Sequence, residues 1–439
     1  MNYNYQRQQK TAGIIRYSCG ILFCLFCFTY LFFLQGELLA QAQFVYSRGV
    51  TNYSLFVGAF IITAVLQIVQ WLVAKLAKTP SRWYVLTYFP SFLALTMLTH
   101  IDEQSINHFS FGAWKWLAPL LLILYVLLLR FLYEKNYSRE SHQPLPIVRL
   151  LSTNYLLLLI MALLTAGTGT ASDVYMFELK TERLLAEGQT DDALQVGRRS
   201  LQSSQRLTNL RMYALSLQDS LAEHLFDYPQ AFGIDGLLTL SDSDQLVHRI
   251  TSQDIACSLG MKIGTSIRTP QRYFQLVLEH HTELLDSLSQ MDSLAFGGND
   301  SLRLAHENRL QALRRQTRRT ADYYLCSLLL QRDVIGFVDS YTKYHQRLYP
   351  DLPDSVWMNS EVLLPVQRGD VGSLEVVVQR AYREALVVGM PECADSLTLQ
   401  RHQSYVEMRD SIQDPVVRQN QTRRRFGNTF WWYLDNPLP

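Results

Sequence analysis

The chain has 439 residues, 48% of them hydrophobic and 18% charged, with a formal net charge of +1. The charge is unevenly spread: residues 1–171 hold 12 Lys and Arg against 5 Asp and Glu, and residues 172–439 hold 28 against 34. An acidic tail lacks the basic footprint of a nucleic-acid binder, which excludes that class of partner. Six cysteines in so long a chain exclude a disulfide-built scaffold.

Five long apolar runs lie in the first 171 residues and none follows. About 20 apolar residues at about 1.5 Å each cross roughly 30 Å of hydrocarbon. The runs are Tyr17 to Gly36, Leu55 to Ala74, Trp83 to Thr99, Trp114 to Leu129, and Leu150 to Ala171. Backbone polar groups in lipid must bond internally, so each run is expected to be a helix. The third is the shortest and carries Pro90, which predicts a kink or, alternatively, a buried re-entrant segment. The first is too long for a signal-peptide core and reads as a signal anchor.

The short loops differ in charge. The N-terminal tail and the loops after runs two and four hold Arg7, Lys10, Arg16, Lys75, Lys78, Arg82, Arg130, Lys135, Arg139 and Arg149. The other two loops hold Arg48, with Lys115 at a helix end. This asymmetry predicts a cytoplasmic N-terminus and, after five crossings, a tail on the far side. Gln67 and Gln70 share one face of the second helix, as interhelical glue or as a substrate-lining face. Ala162 and Ala166 favour close packing in the fifth. With no Asp or Glu at the centre of any run, a proton relay is not expected.

Beyond residue 171 the apolar residues recur at three and four, the helical period. Helices are expected over Val174 to Glu187, Asp191 to Leu201, Arg206 to Leu225, Gln245 to Lys262 and Pro270 to Leu288. A basic helix is expected from Asn299 or Asp300 to Thr320, after a breaker at Gly297–Gly298. A faint repeat links Glu182 to Leu194, Tyr324 to Val334 and Glu361 to Leu374, each an apolar helix, a polar turn and a second helix. Its spacing and its small residues Gly188 and Ala193 resemble tetratricopeptide repeats, which implies a superhelix with a concave binding surface.

Two stretches, Trp83 to Leu93 and the aromatic Asn428 to Tyr433, are similar to an uncharacterised family of bacterial envelope proteins with a polytopic front and a helical-repeat tail. That resemblance implies the same architecture and transfers no activity. The expected fold is all-α: cytoplasmic residues 1–16, a five-helix transmembrane domain over 17–171, an extracytoplasmic repeat domain over 172–425, and an aromatic segment over 426–439. In a bacterium the protein would sit in the inner (plasma) membrane with a periplasmic tail. Phe426, Phe430, Trp431, Trp432 and Tyr433 either cap the last helix pair, touch the membrane interface or dock a partner.

Motifs for chemistry are sparse. Cys24 and Cys27 have CxxC spacing but lie mid-helix in lipid, which predicts packing rather than redox work. Cys257, Cys326 and Cys393 are expected as buried thiols. His280 and His281 lack the HExxH spacing and read as a polar helix face. No GxxxxGK[ST] and no GxSxG occurs, and Gly167-Thr-Gly169 follows a membrane helix rather than a strand. The arginine clusters at 314–319 and 423–425 read as solvated faces.

The leading expectation is therefore a non-enzymatic membrane protein whose tail binds a protein partner, without a cofactor. The alternatives are a transport-complex subunit and a transferase acting on a lipid-linked substrate. For the transferase, Glu37, Asp102 and Glu103 are the candidate acids and His100 and His108 the candidate metal ligands.

Overall fold

A computed structural model describes residues 2–77, 79, 81–100, 112–137, 147–169, 172–239, 248–260, 269–290, 300–348 and 378–436. Among them every regular element is helical. The chain divides into two compact units, Met1–Leu179 with Asp244–His248, and Lys180–Ser243 with Arg249–Pro439.

In the first unit, α1 (Asn2–Thr29) runs into a π-helical turn (Tyr30–Leu34), and Gln35 bends the chain into α2 (Gly36–Tyr46). Then come α3 (Leu55–Ala77), a 3₁₀ helix (Ser81–Tyr88), α4 (Phe89–Thr99), α5 (Trp114–Tyr137) and α6 (Ile147–Thr168). Among the described residues, four helices are long and apolar enough to cross a membrane: Ala12–Leu34, Leu55–Ala77, Trp114–Leu132 and Ile147–Thr168. They correspond to runs one, two, four and five.

The third run takes a different form from the expected single kinked helix. Pro90 lies in the first turn of α4, where its missing N–H costs no helical bond. The residues ahead of it wind as a 3₁₀ helix, interrupted at Trp83 (φ −118°, ψ 21°). Side chains from neighbouring helices hold this stretch. Asn154 of α6 accepts from the Val85 N–H at 3.0 Å and donates to the Arg82 carbonyl at 3.3 Å. Gln70 of α3 donates to the Tyr84 and Thr87 hydroxyls at 3.0 and 2.9 Å.

The third run is also deeply buried. Val85, Thr87, Tyr88, Ser91, Leu95 and Thr99 are all fully enclosed. One flank lies along α1, with Phe23 against Tyr88 and Phe92 and Tyr30 donating to Thr99. Another lies along α6, with Asn154 at its start and Thr168 beside His100 at its end. So α1, the third run and α6 point one way. By contrast, α3 runs oppositely, its Leu66 carbonyl accepting from Ser91 and its Gln70 from further along bonding to the earlier Tyr84. The same holds for α5, with Trp114 at His100 and Tyr125 at Phe89. Five segments thus alternate in direction. The outward surfaces of α1, α3, α5 and α6 are apolar, including Ile21, Phe60, Leu120 and Leu163.

The helix α7 (Asp173–Ala186) opens the tail, and Gly188 (φ +77°) turns the chain into α8 (Thr190–Gln195). Ser204 caps α9 (Gln205–Leu217) by accepting from the Leu207 N–H. The single helix expected from Arg206 to Leu225 is broken: Asp219 takes a left-handed conformation (φ 52°) and a short α10 (Leu221–His224) follows. A Thr251–Asp254 capping box starts α11 (Ser252–Ser258).

Next, α12 (Pro270–Ser289) and α13 (Asp300–Leu330) form a long antiparallel hairpin. No Gly, Pro or cap interrupts Thr320 to Tyr324, so the basic helix and the second repeat helix are one 31-residue element. Arg332 (φ 64°) turns it into α14 (Val334–Leu348). Then α15 (Arg380–Gly389), α16 (Ser396–Ser411), α17 (Pro415–Phe426) and α18 (Phe430–Asp435) complete the unit. The third repeat, Glu361 to Leu374, lies outside the described residues.

The terminal aromatic residues are core. Phe430 and Trp431 are at most 1% exposed. The Trp431 indole donates to the Glu384 carbonyl at 2.8 Å and the Tyr433 hydroxyl to the Leu330 carbonyl at 2.8 Å. Phe226 packs on Phe430 and Tyr433, knitting residues 221–228 to the C-terminus.

Candidate functional site

The first unit contains a groove of about 1140 Å³ between α1, α3 and the 3₁₀ helix. Its rim holds Arg16 and Lys75, and its wall Gln67, Gln70, Tyr84 and Tyr88. Gln67 and Gln70 lie three apart on one face of α3, and the Tyr84 and Tyr88 rings meet edge to face, 6.1 Å apart, beside α1. Gln67 donates to Gln70 at 2.8 Å, and the Cys24 thiol donates to Gln67 at 3.5 Å. The glutamines therefore act as interhelical glue and also face a cavity. Tyr88 is fully buried; its hydroxyl lies beside Gln67 without a hydrogen bond of proper geometry.

Arg16 stacks over the Tyr84 ring at 5.6 Å and Lys75 over the Trp71 ring at 4.2 Å. Gly20 lines the floor of the groove, where a Cβ would come into ordinary contact with the Tyr88 hydroxyl at 3.5 Å. Cys19 and Cys27 are buried apolar packing in the same core.

At the other end of this unit a second polar cluster ties α1, α4 and α6. Tyr30 donates to Thr99 at 3.3 Å, and Thr96 to Thr165 at 3.2 Å. A Cβ at Gly169 would run into the Tyr30 hydroxyl, so a larger residue there would have to displace that side chain. Glu37, half-buried, sits in the first turn of α2, just past the π-helical turn. His100 ends α4, its Nδ1 donating to the Thr168 carbonyl at 2.7 Å and its ring against Trp114. Asp102, Glu103 and His108 lie outside the described residues. Among the described residues no three His, Cys, Asp or Glu converge as a metal site.

The tail has its own charged recess of about 650 Å³, lined by Gln195, Gly197, Arg198, Arg199, Asp227 and Asn428. Asp227 accepts from Arg380 at 2.8 Å and from His224 at 2.8 Å. Burial alone would raise its pKa, but these two partners outweigh it and hold the carboxyl below its usual range. Behind the recess Arg211 is fully buried, donating to the Val196 and Gly197 carbonyls and stacking on Tyr228.

Sequence reasoning missed two perturbed acids of the tail. Burial pushes Asp322 up to about 7, against the hydroxyl of Tyr382 donating to it at 2.7 Å. Burial likewise pushes Glu384 up to about 7, although it accepts from the Phe430 N–H at 2.7 Å. Neither stands in a motif, and the partners come from helices distant in sequence. Two sequence expectations need correction. His281 is 2% exposed instead of lying on a solvated face, with desolvation lowering its pKa to about 4. Cys257 is exposed, whereas Cys326 is buried; the Cys393 side chain lies outside the described residues.

Residues 275–436 match a family model described as a family of unknown function (DUF6057). The match covers under half of the chain, including Asn428 to Tyr433 but not Trp83 to Leu93. No curated protein matches the chain, and neither does any solved structure. The matched region packs against earlier residues of the tail. The Glu223 carboxylate accepts from the Arg380 N–H at 2.6 Å and the Gln379 side chain accepts from the Glu223 N–H at 2.9 Å, and Phe226 packs on Phe430 and Tyr433.

Proposed function

We propose that this is a five-crossing membrane protein with a cytoplasmic N-terminus, whose helical tail binds a protein partner on the far side of the membrane. The alternating direction of five segments supports the crossing number. Beyond the break at Trp83, five 3₁₀ residues at about 2.0 Å and eleven α residues at about 1.5 Å give the third run about 26 Å, most of the roughly 30 Å of hydrocarbon. Arg16, Lys75, Arg82 and Arg149 all belong to one end of these segments, which favours that end facing the cytoplasm. In a bacterial cell the tail would then be periplasmic. The helix–turn–helix pairs α7–α8 and α13–α14 support a repeat plan of tetratricopeptide type for the tail.

The observation that carries partner binding is the α12–α13 hairpin. Its outer faces leave Leu276, Leu284 and Leu304 at 41%, 38% and 59% exposed, among arginines. Cross-linking in native membranes followed by purification tests this. A partner should be recovered with the wild-type chain and lost with L276S/L284S/L304S at an unchanged thermal midpoint. Recovery of the same proteins with both chains would refute the assignment. A reporter enzyme active only in the cytosol, fused after Pro439, should stay silent; activity would mean an even number of crossings.

A second reading, a transferase acting on a lipid-linked substrate, is favoured by the π-helical turn leading to Glu37, a geometry enriched at functional sites. Alanine at Glu37, Asp102 and Glu103 separates the two: a phenotype unchanged in all three supports the partner-binding protein.

A further inference from the structure

We propose that the groove between α1, α3 and the 3₁₀ helix is a binding site for one anionic phospholipid of the leaflet at the basic end. The phosphate would lie between Arg16 and Lys75, and one acyl chain along Ile21 and Leu25. This inference is independent of the partner assigned to the tail.

Four observations converge on it. The entrance faces lipid rather than water: Tyr17, Ile21 and Leu25, which line it, are 78%, 68% and 59% exposed on an apolar helix. The two rim cations sit near the ends of their apolar spans, at the depth of headgroups, where basic residues attract anionic lipid. Each is stacked on an aromatic ring, and neither has a carboxylate partner among the described residues. That leaves both charges available to a ligand that brings its own anion.

Below the cations the wall turns polar. Gln67, Gln70, Tyr84 and Tyr88 line the space, and the buried Tyr88 hydroxyl makes no hydrogen bond of proper geometry. A buried hydroxyl without a well-formed hydrogen bond is costly in lipid. A glycerol ester carbonyl, one step below a phosphate, is an acceptor at the matching depth. A free phosphate would reach the rim cations but not this hydroxyl, a neutral amphiphile would leave the cations unpaired, and a zwitterionic lipid would bring its own headgroup cation against them. The ligand that satisfies both levels is an anionic glycerophospholipid.

Native mass spectrometry of the full chain in mild detergent tests this, using phosphatidylglycerol and phosphatidylcholine of matched acyl chains. One phosphatidylglycerol should be retained at least tenfold more strongly than phosphatidylcholine. R16Q/K75Q should lower that preference at least fivefold, while R130Q, a basic residue at the same end but outside the groove, should not. Should the double variant fail to fold, the Gly20 pair decides. G20L fills the floor and should lose the lipid, whereas G20A should keep it. Equal retention of the two lipids by the wild type, or retention by G20L equal to that by G20A, would reduce the groove to an annular lipid contact and overturn the proposal.

Discussion

The first unit, four of whose helices are long and apolar enough to cross a membrane, and the tail solve the polar–apolar problem in opposite ways. The first unit turns apolar side chains outward and joins its helices through buried hydroxyls and amides such as Gln70, Asn154 and Thr165. The tail buries aromatic and aliphatic side chains, with Trp431, Phe430, Tyr405 and Phe274 at its centre. Where lipid surrounds a helix, apolar contact gives no preference for protein over solvent, and directional bonds supply specificity. Where water surrounds it, area removed from water does most of the stabilising and polar groups inside need partners. Glu384 follows from that second condition: sealed beneath Phe430, its carboxyl is held near 7.

The contrast predicts that a core truncation hurts the tail more than loss of a hydrogen bond hurts the membrane unit. Trp431→Ala should cost the tail about 3–5 kcal/mol, read as a lowered midpoint in thermal unfolding of the full chain followed by tryptophan fluorescence. A loss below about 1 kcal/mol would mean that the aromatic end is not core.

Glu384→Gln should act in the stabilising direction. The folded pKa near 7 exceeds the ordinary 4.5, so the folded state retains a proton that the unfolded chain releases. Wild-type tail stability therefore falls as pH rises from about 4.5 to 7, and the glutamine variant lacks that fall. At pH 8 the variant should be more stable by up to about 3 kcal/mol, with the gap closing toward pH 4. Parallel pH profiles for the two chains would exclude a protonated Glu384.

In the membrane unit, Asn154→Leu leaves the Val85 N–H without its partner and should cost about 1–3 kcal/mol. Unfolding in mixed detergent micelles measures it. An effect as large as that of Trp431→Ala would show that the two units do not differ in the way described.

Much of the architecture was legible in the residues. Four of the five apolar runs appear as helices long enough to span, and Gly188, Pro270 and Asp300 mark helix limits close to those expected. The misjudged elements share a cause. The third run reads as a kinked helix or a buried re-entrant segment, whereas it begins as a 3₁₀ helix bonded to Asn154 and Gln70 of other helices. The helix ending at Leu217 was expected to continue because a left-handed Asp219 has no strong local signature. In the groove, the Gln67–Gln70 spacing was visible in advance, while Arg16, Lys75 and Tyr88 join them only through packing.

The sequence by itself determined which residues lipid can solvate and which end of the front half is basic, because hydropathy and charge are sums over neighbours along the chain. Tertiary structure alone decided that the third run is the buried centre of that unit, that a groove beside it has a polar wall, and that the last aromatic residues close the tail. Each of these depends on which groups satisfy a buried donor or fill a core, and those groups come from helices tens to hundreds of residues apart.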